Sequence, residues 1–456
     1  MAQSSTATPS FSIVDELTIE VDRSTIYELG WQSWSPSGIY NAAGLSPRPQ
    51  RELWQTMAFR PERPLAATGF QSEGMLGVDP GNGAPMTIYA MAGPTPTIPT
   101  IRAALQGSQL TITSTDPIEV TTWPSAANLE EAVAGWTEQF ATRCIQRPLR
   151  TLSPTWCSWY CYWFNVTAED VLRASRHLYE REIPADVIQI DDGWQRSIGD
   201  WQDSERFGSL EKVVKELQDQ GRSVGIWLAP FLVGHKSQLF KDHPDWLVPD
   251  RSAGFNWNQE LSILDTTRPE ALNSMTSTLS SLRDLGIQYF KLDFLYAGAI
   301  AGTRHRSIHE NDAYREALGA FRSAIGEDSI VVGCGAPLIP SIGLVDAMRI
   351  SPDVSPTWEP PLADISQPGG RASVLGTRAR RALQGRWWTN DPDCLLLRPE
   401  IEHRDLIAAS VEAAHGLNCL SDPPDKLDAW GVEAAQRLMT NSSTSPAVPA
   451  PPVTMA

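Results

Sequence analysis

From Pro154 to about residue 420 the chain repeats one pattern, a short apolar run followed by a polar or helix-periodic stretch. The runs are Thr155 to Tyr162, Val187 to Asp192, Val224 to Phe231, Tyr289 to Leu295, Ile330 to Ala336, Ala347 to Pro352, Arg386 to Leu396 and Gly416 to Asp422. Unbroken runs of this length suit strands covered on both faces. Between the second and third, Leu210, Val213, Val214 and Leu217 mark one face of a helix stopped by Gly221. Tyr314, Leu318, Phe321 and Ile325, stopped by Gly326, repeat the device. Strands alternating with helices imply a parallel sheet, and eight units in roughly 270 residues imply a closed (β/α)8 TIM barrel. The helix between the fifth and sixth runs must be very short. An open doubly wound sheet is the alternative, and no G-x-G-x-x-G follows the first run to support it.

Upstream the pattern differs. Leu17 to Val21, Met86 to Ala90, Leu110 to Thr113 and Ile118 to Val120 alternate apolar and polar residues and are separated by Gly, Pro, Ser and Asn clusters. That is the mark of antiparallel strands with one wet face. The expected organisation is an N-terminal β-sandwich over 1–145, a catalytic barrel over 150–439, and a disordered Pro- and Ser-rich tail over 440–456.

The 37 Lys and Arg against 54 Asp and Glu give a net charge of −17, which repels nucleic-acid phosphates and anionic membranes. Neither is an expected partner. The first residues lack a basic segment followed by an apolar core, and no run reaches a membrane span. The six cysteines lack the paired short spacings of a zinc site and read as reduced thiols, so a cytoplasmic protein without metal or cofactor is expected.

Chemistry concentrates at the C-terminal ends of the runs, where barrel active sites are built. Run two ends in Asp191-Asp192-Gly-Trp194, run four carries Lys291-Leu-Asp293, run six leads from Arg349 to Asp353, and run seven holds Asn390-Asp391-Pro-Asp393. These ends offer carboxylates and no histidine, against Ser-His or Cys-His nucleophilic chemistry and against zinc hydrolysis. His305 and His309 have i, i+4 spacing beside Glu310 and read as a solvated helix face rather than a metal site.

Carboxylates with tryptophan neighbours (Trp156, Trp159, Trp163, Trp194, Trp227, Trp387, Trp388) point to glycoside chemistry, where one carboxylate supports an oxocarbenium-like centre and another protonates the leaving oxygen. Clustered Asp also suits a magnesium-dependent barrel. Strand alternation puts Lys291 and Asp293 on one face, so the ammonium is expected beside Asp293, keeping it ionised as a nucleophile requires. A structural Lys–Asp pair is the other reading. Asp353, in Ser-Pro-Asp-Val-Ser-Pro, either projects over the site or makes an ordinary Asx turn.

TWCSWYCYWFNVTAEDV, VIQIDDGWQ, GIWLAPF, YFKLDFLYAGA, GCGAPL, AMRISPDVSPTW and NDPDCLLLR, in that order, resemble the melibiase-type α-galactosidases of glycoside hydrolase family 36. The resemblance covers about 150 to 420, and GWQSWSP at Gly30 to Pro36 resembles that family's segment leaning over the active site. It implies Asp293 as nucleophile and Asp353 as acid/base. It also implies Asp191 and Asp192 gripping sugar hydroxyls, Lys291, Cys334 and Arg349 as further sugar contacts, and Trp227 and Trp159 as pocket walls, with Trp31 or Trp34 from the β-domain. Family members usually continue into a C-terminal β-domain, whereas here a helix-like stretch from Asp425 to Met439 leads into the tail; assembly is left open.

The expected function is a retaining exo-α-galactosidase acting on small galactosides and galacto-oligosaccharides of the melibiose and raffinose type. An α-N-acetylgalactosaminidase or transgalactosylase on the same machinery is the near alternative. A non-catalytic carbohydrate-binding protein or a magnesium-dependent barrel stands further off. Runs four and six would be alternate strands, so their carboxyls can converge to the roughly 5–5.5 Å of a retaining pair.

Overall fold

The structure is a computed structural model that describes residues 9–145 and 147–440, apart from the side chains of residues 52–54. The tail expected over 440–456 lies, beyond Thr440, outside the described residues.

Nine strands come first: β1 (Ser12–Thr18), β2 (Thr25–Glu28), β3 (Gly38–Asn41), β4 (Phe70–Glu73), β5 (Met75–Asp79), β6 (Met86–Ala90), β7 (Thr100–Gln106), β8 (Gln109–Ser114) and β9 (Glu119–Trp123). They form two antiparallel sheets, β1-β8-β7-β4 and β3-β2-β5-β6-β9. Ile26, Leu76, Val78 and Tyr89 of the second share one core with Phe70, Ile101, Leu110 and Ile112 of the first. In β8 alternate apolar residues turn inward, and Leu110 and Ile112 are fully buried.

The stretch before residue 145, expected to be all β, instead ends in a helix, Leu129–Cys144. Leu129, Ala132, Val133, Trp136 and Phe140 bury one face of it, and Asn128 caps its start by accepting from the Glu131 N–H. Trp136 and Phe140 pack on Trp387, whose indole N–H donates to the Thr137 carbonyl at 3.1 Å. The helix thus seats the N-terminal sheets on the barrel wall.

The barrel strands are β10 (Thr155–Cys157), β11 (Val187–Ile190), β14 (Ser223–Leu228), β18 (Tyr289–Leu292), β19 (Ile330–Gly333), β20 (Ala347–Arg349), β21 (Thr389–Asp391) and β22 (Cys419–Leu420). All seven contacts in the series β21-β20-β19-β18-β14-β11-β10-β22 are parallel. A parallel bridge between Leu395 and Leu420 closes the ring. Each of the eight apolar runs supplies one strand, although the strands are shorter than the runs. In the first run, Trp159–Tyr162 already forms a helical turn. The helix between β19 and β20 is the four-residue Leu338–Ser341.

Two antiparallel excursions sit above the strand ends. A hairpin, β12 (Gln195–Ser197) and β13 (Asp200–Asp203), follows β11, and a three-stranded sheet of β15 (Leu232–Gly234), β16 (Leu247–Asn256) and β17 (Gln259–Leu264) follows β14. Among the described residues no helix is long and apolar enough to cross a membrane.

The histidine pair does not share a helix face. The helix begins at Glu310, His309 caps it through Nδ1, and His305 lies outside it with its backbone N–H on Asp265.

Candidate active site

A cavity of about 430 Å3 opens at the C-terminal ends of the barrel strands. Asp191, Asp192, Trp227, Lys291, Asp293 and Asp353 line it, with Trp159 and Trp34 in its wall.

Asp191 and Asp192 follow β11. Asp191 is buried, and its Oδ2 accepts from Lys291 Nζ at 2.9 Å and Gln189 Nε2 at 2.6 Å, while Oδ1 accepts the Asp192 N–H. Asp192 accepts from Gln195 Nε2 at 2.6 Å and from the Trp257 indole N–H at 2.7 Å. Burial pushes the Asp192 carboxyl up against those two donors, with Asp293 adding to the push. Burial would lower the Lys291 ammonium, and Arg349 adds to that, but the Asp191 carboxylate with smaller contributions from Cys157 and Cys334 together hold Lys291 well above its ordinary value.

Lys291 therefore departs from the expectation. It lies on the same side of the chain as Asp293, which follows β18, but reaches past β14 to Asp191 at the end of β11, and no ion pair to Asp293 occurs among the described residues. Two neutral donors hold Asp293 instead: Trp227 Nε1 at 2.9 Å on Oδ2 and the Phe294 backbone N–H at 2.7 Å on Oδ1. Phe294 has φ +51°, an uncommon conformation for a bulky residue, adopted immediately after Asp293.

Asp353 lies past β20 with its side chain 31% exposed. Its Oδ1 accepts from Arg349 at 2.9 Å, but the same guanidinium also meets Asp391 at 3.3 Å and Asp393 at 2.7 Å. One cation thus serves three carboxylates. Burial first, then the charge on Asp393, push the Asp353 carboxyl up to about 7 against the pull of Arg349 and Lys291. Asp393 is itself fixed by the Val354 N–H at 2.7 Å and the Tyr160 hydroxyl at 2.5 Å.

Trp34 reaches the cavity from the N-terminal region. Its segment pairs with the loop after β19 through a Gln32–Pro337 bridge and the Leu338 N–H on the Trp31 carbonyl. Buried Arg380 locks the joint, donating to the carbonyls of Gln32, Ser33 and Ser35 and to that of Ile350 on the strand leading to Asp353. Gly335 must be glycine, since its φ is +50° and a Cβ there would stand 2.8 Å from the Trp34 ring.

The other expected contacts lie off the wall. Trp31 is buried edge-on against Tyr296. Cys334 is buried at the end of β19, its thiol pushed well up by burial. Arg349 lies behind Asp353. Of the seven tryptophans in the carboxylate-rich runs, Trp159, Trp163 and Trp227 line the cavity, whereas Trp156, Trp194, Trp387 and Trp388 are core. Trp257, between β16 and β17, was not anticipated; it packs on Trp227 and Phe294 as well as binding Asp192.

The Melibiase family profile matches residues 141–324. The solved structure of TtGalA, an α-galactosidase from Thermus thermophilus in complex with p-nitrophenyl α-D-galactopyranoside, superposes with a TM-score of 0.79 at 26% identity, covering 95% of this chain and 90% of that one. Over residues 141–324 the chain is thus similar to the melibiase family. Among curated relatives, Alpha-galactosidase AgaA of Geobacillus stearothermophilus is 28% identical over 183 residues, 36% of this chain and 24% of its own length. Alpha-xylosidase XylQ of Lactiplantibacillus pentosus is 32% identical over 140 residues, 28% of this chain and 18% of its own length. The matched stretches thus span a quarter or less of these relatives.

Proposed function

We propose that the protein is a retaining exo-α-galactosidase that removes terminal α-linked galactose by double displacement. One observation carries the reading: two carboxyls of opposite character face the same cavity. Asp293 is supported by neutral donors, while Asp353 is held near 7 by burial and by the Asp393 carboxylate that shares its arginine. Asp293 attacks the anomeric carbon as the bond to the leaving oxygen breaks and Asp353 gives that oxygen its proton. Asp353 then takes a proton from a water that displaces Asp293 from the β-linked intermediate.

Asp191, Asp192 and Lys291 grip the hydroxyls of the non-reducing sugar, and Trp227, Trp159 and Trp34 wall the ring. Arg349 acts from behind Asp353, and buried Cys334 and Trp31 back the pocket without lining it. The oxygens of Asp191 and Asp192 are already engaged by amide, ammonium and indole donors, an environment suited to exchange with sugar hydroxyls. Galactosides and stachyose bound to TtGalA support small galacto-oligosaccharides as substrates. We read 1–145 as a β-sandwich, supported by the core its two sheets share, and 150–439 as the catalytic barrel. The six free cysteines support a cytoplasmic setting.

The test is release of p-nitrophenol from the α-galactoside beside the α-N-acetylgalactosaminide, α-glucoside, α-xyloside and β-galactoside, with and without EDTA. Preference for the α-galactoside, insensitive to EDTA, is expected. No release from any of the five overturns the reading.

A further inference from the structure

Three cysteines remote in sequence meet beneath the cavity. Cys157 ends β10, Cys419 begins β22, and Cys394 precedes the Leu395 that bridges to Leu420. Their sulfurs all lie within 4.8 Å of one another, with Cys394 and Cys419 3.5 Å apart. All three residues are buried, at 1%, 4% and 4% exposure. A thiol is a weak donor and a weak acceptor, so mutual S–H contacts stabilise this grouping little.

The spacing suits something held in common. Sulfurs bound to one ion at about 2.3 Å stand roughly 3.8–4.0 Å apart, within the span these three sulfurs occupy. Three sulfur donors with neither imidazole nor carboxylate among them select soft d10 ions such as Zn2+, Cd2+ or Cu+ over hard cations. We propose that Cys157, Cys394 and Cys419 form a site for a thiophilic metal ion that staples the seam where the first and last barrel strands meet. On binding, each sulfur exchanges its proton for a bond to the metal, so one divalent ion displaces three protons into solvent.

Occupancy has a consequence above the site. The Cys157 thiol also donates to Asp191 Oδ2 at 3.4 Å, and a metal-bound thiolate has no proton to give. The ion therefore removes one donor from the Asp191 carboxylate while tying the ring closed. Metal binding itself does not depend on the proposed activity.

Cadmium is the probe, added to the full chain under a non-chelating reductant, both after folding and during refolding from denaturant. The readouts are bound cadmium per chain, thiolate-to-cadmium charge-transfer absorption, protons released and melting temperature. One equivalent, three protons and a raised melting temperature are expected. Cys394→Ser and, separately, Cys419→Ala should lose the bound equivalent, and a Cys144→Ser/Cys161→Ser double variant should keep it. Absence of a stoichiometric ion from both preparations, or its survival in a folded Cys394→Ser or Cys419→Ala chain, overturns the site.

Discussion

Asp293 and Asp353 face one cavity yet are supported in opposite ways. Around Asp293 the protein offers an indole N–H and a backbone N–H, each neutral, on a strand end walled by Trp227 and Phe294. Around Asp353 it offers full charges, one arginine divided among Asp353, Asp391 and Asp393. Neutral donors stabilise an anion without attaching a cation that would have to move when the anion becomes an ester. Burial and the Asp393 charge outweigh the share of Arg349 that Asp353 receives, so that carboxyl keeps a proton near neutrality. The two acids therefore differ in their charged partners, with burial adding to the effect at Asp353.

Removing the first member of the comparison has the largest effect. Asp293→Ala is expected to lower kcat on the order of 10^4-fold or more, and azide in the vacated space should restore part of the rate with β-galactosyl azide as product. Retention of more than a small percentage of kcat, measured with the p-nitrophenyl substrate, would remove Asp293 from the nucleophile's role. Asp353→Asn separates the second member by leaving group. Raffinose turnover should fall by about 10²- to 10⁴-fold, and activated aryl galactosides far less. Equal losses on both substrates contradict the acid/base assignment.

Asp192→Asn should weaken inhibition by galactose by about tenfold or more, because a charged acceptor is exchanged for an amide facing the Gln195 and Trp257 donors. An unchanged inhibition constant would show that Asp192 holds the Trp257 loop and not the sugar. The smallest effect is a displacement rather than a loss. Asp353 must be protonated to deliver its proton, so kcat/KM should fall as pH rises through about 7. Asp393→Asn removes a negative charge that pushes Asp353 up, so this alkaline limb should move to lower pH. A limb that stays in place, or moves to higher pH, breaks the link between the carboxylate cluster and Asp353.

The barrel was legible because its strands are buried on both faces and interrupted by well-marked helices such as Leu210–Asp219. In the N-terminal region β2 to β5 carry too few residues, as in Thr25–Glu28, to show alternation, and β7 breaks it with consecutive Ala103, Ala104 and Leu105. Leu129–Cys144 did carry a signal, apolar residues at helical spacing behind an Asn cap, overlooked amid β patterns. At the site, the strand-end carboxylates could be read, but their partners could not. Alternation put Lys291 and Asp293 on one face, yet the ammonium's partner lies two strands away, at the end of β11 and 100 residues earlier in sequence. Trp257 sits on a turn of an excursion with no periodic signature, and Cys157, Cys394 and Cys419 converge only when the ring closes.

The central claim is that Asp293 and Asp353 divide a double displacement between them, and the anomeric configuration of the first product tests it most directly. Proton NMR of the anomeric signals should be followed from the first minutes of hydrolysis of an activated α-galactoside, before mutarotation mixes them. The account predicts α-galactose first, with β-galactose growing in only at the mutarotation rate. β-Galactose as the first product would mean that water, not Asp293, attacks the anomeric carbon, and would contradict the account.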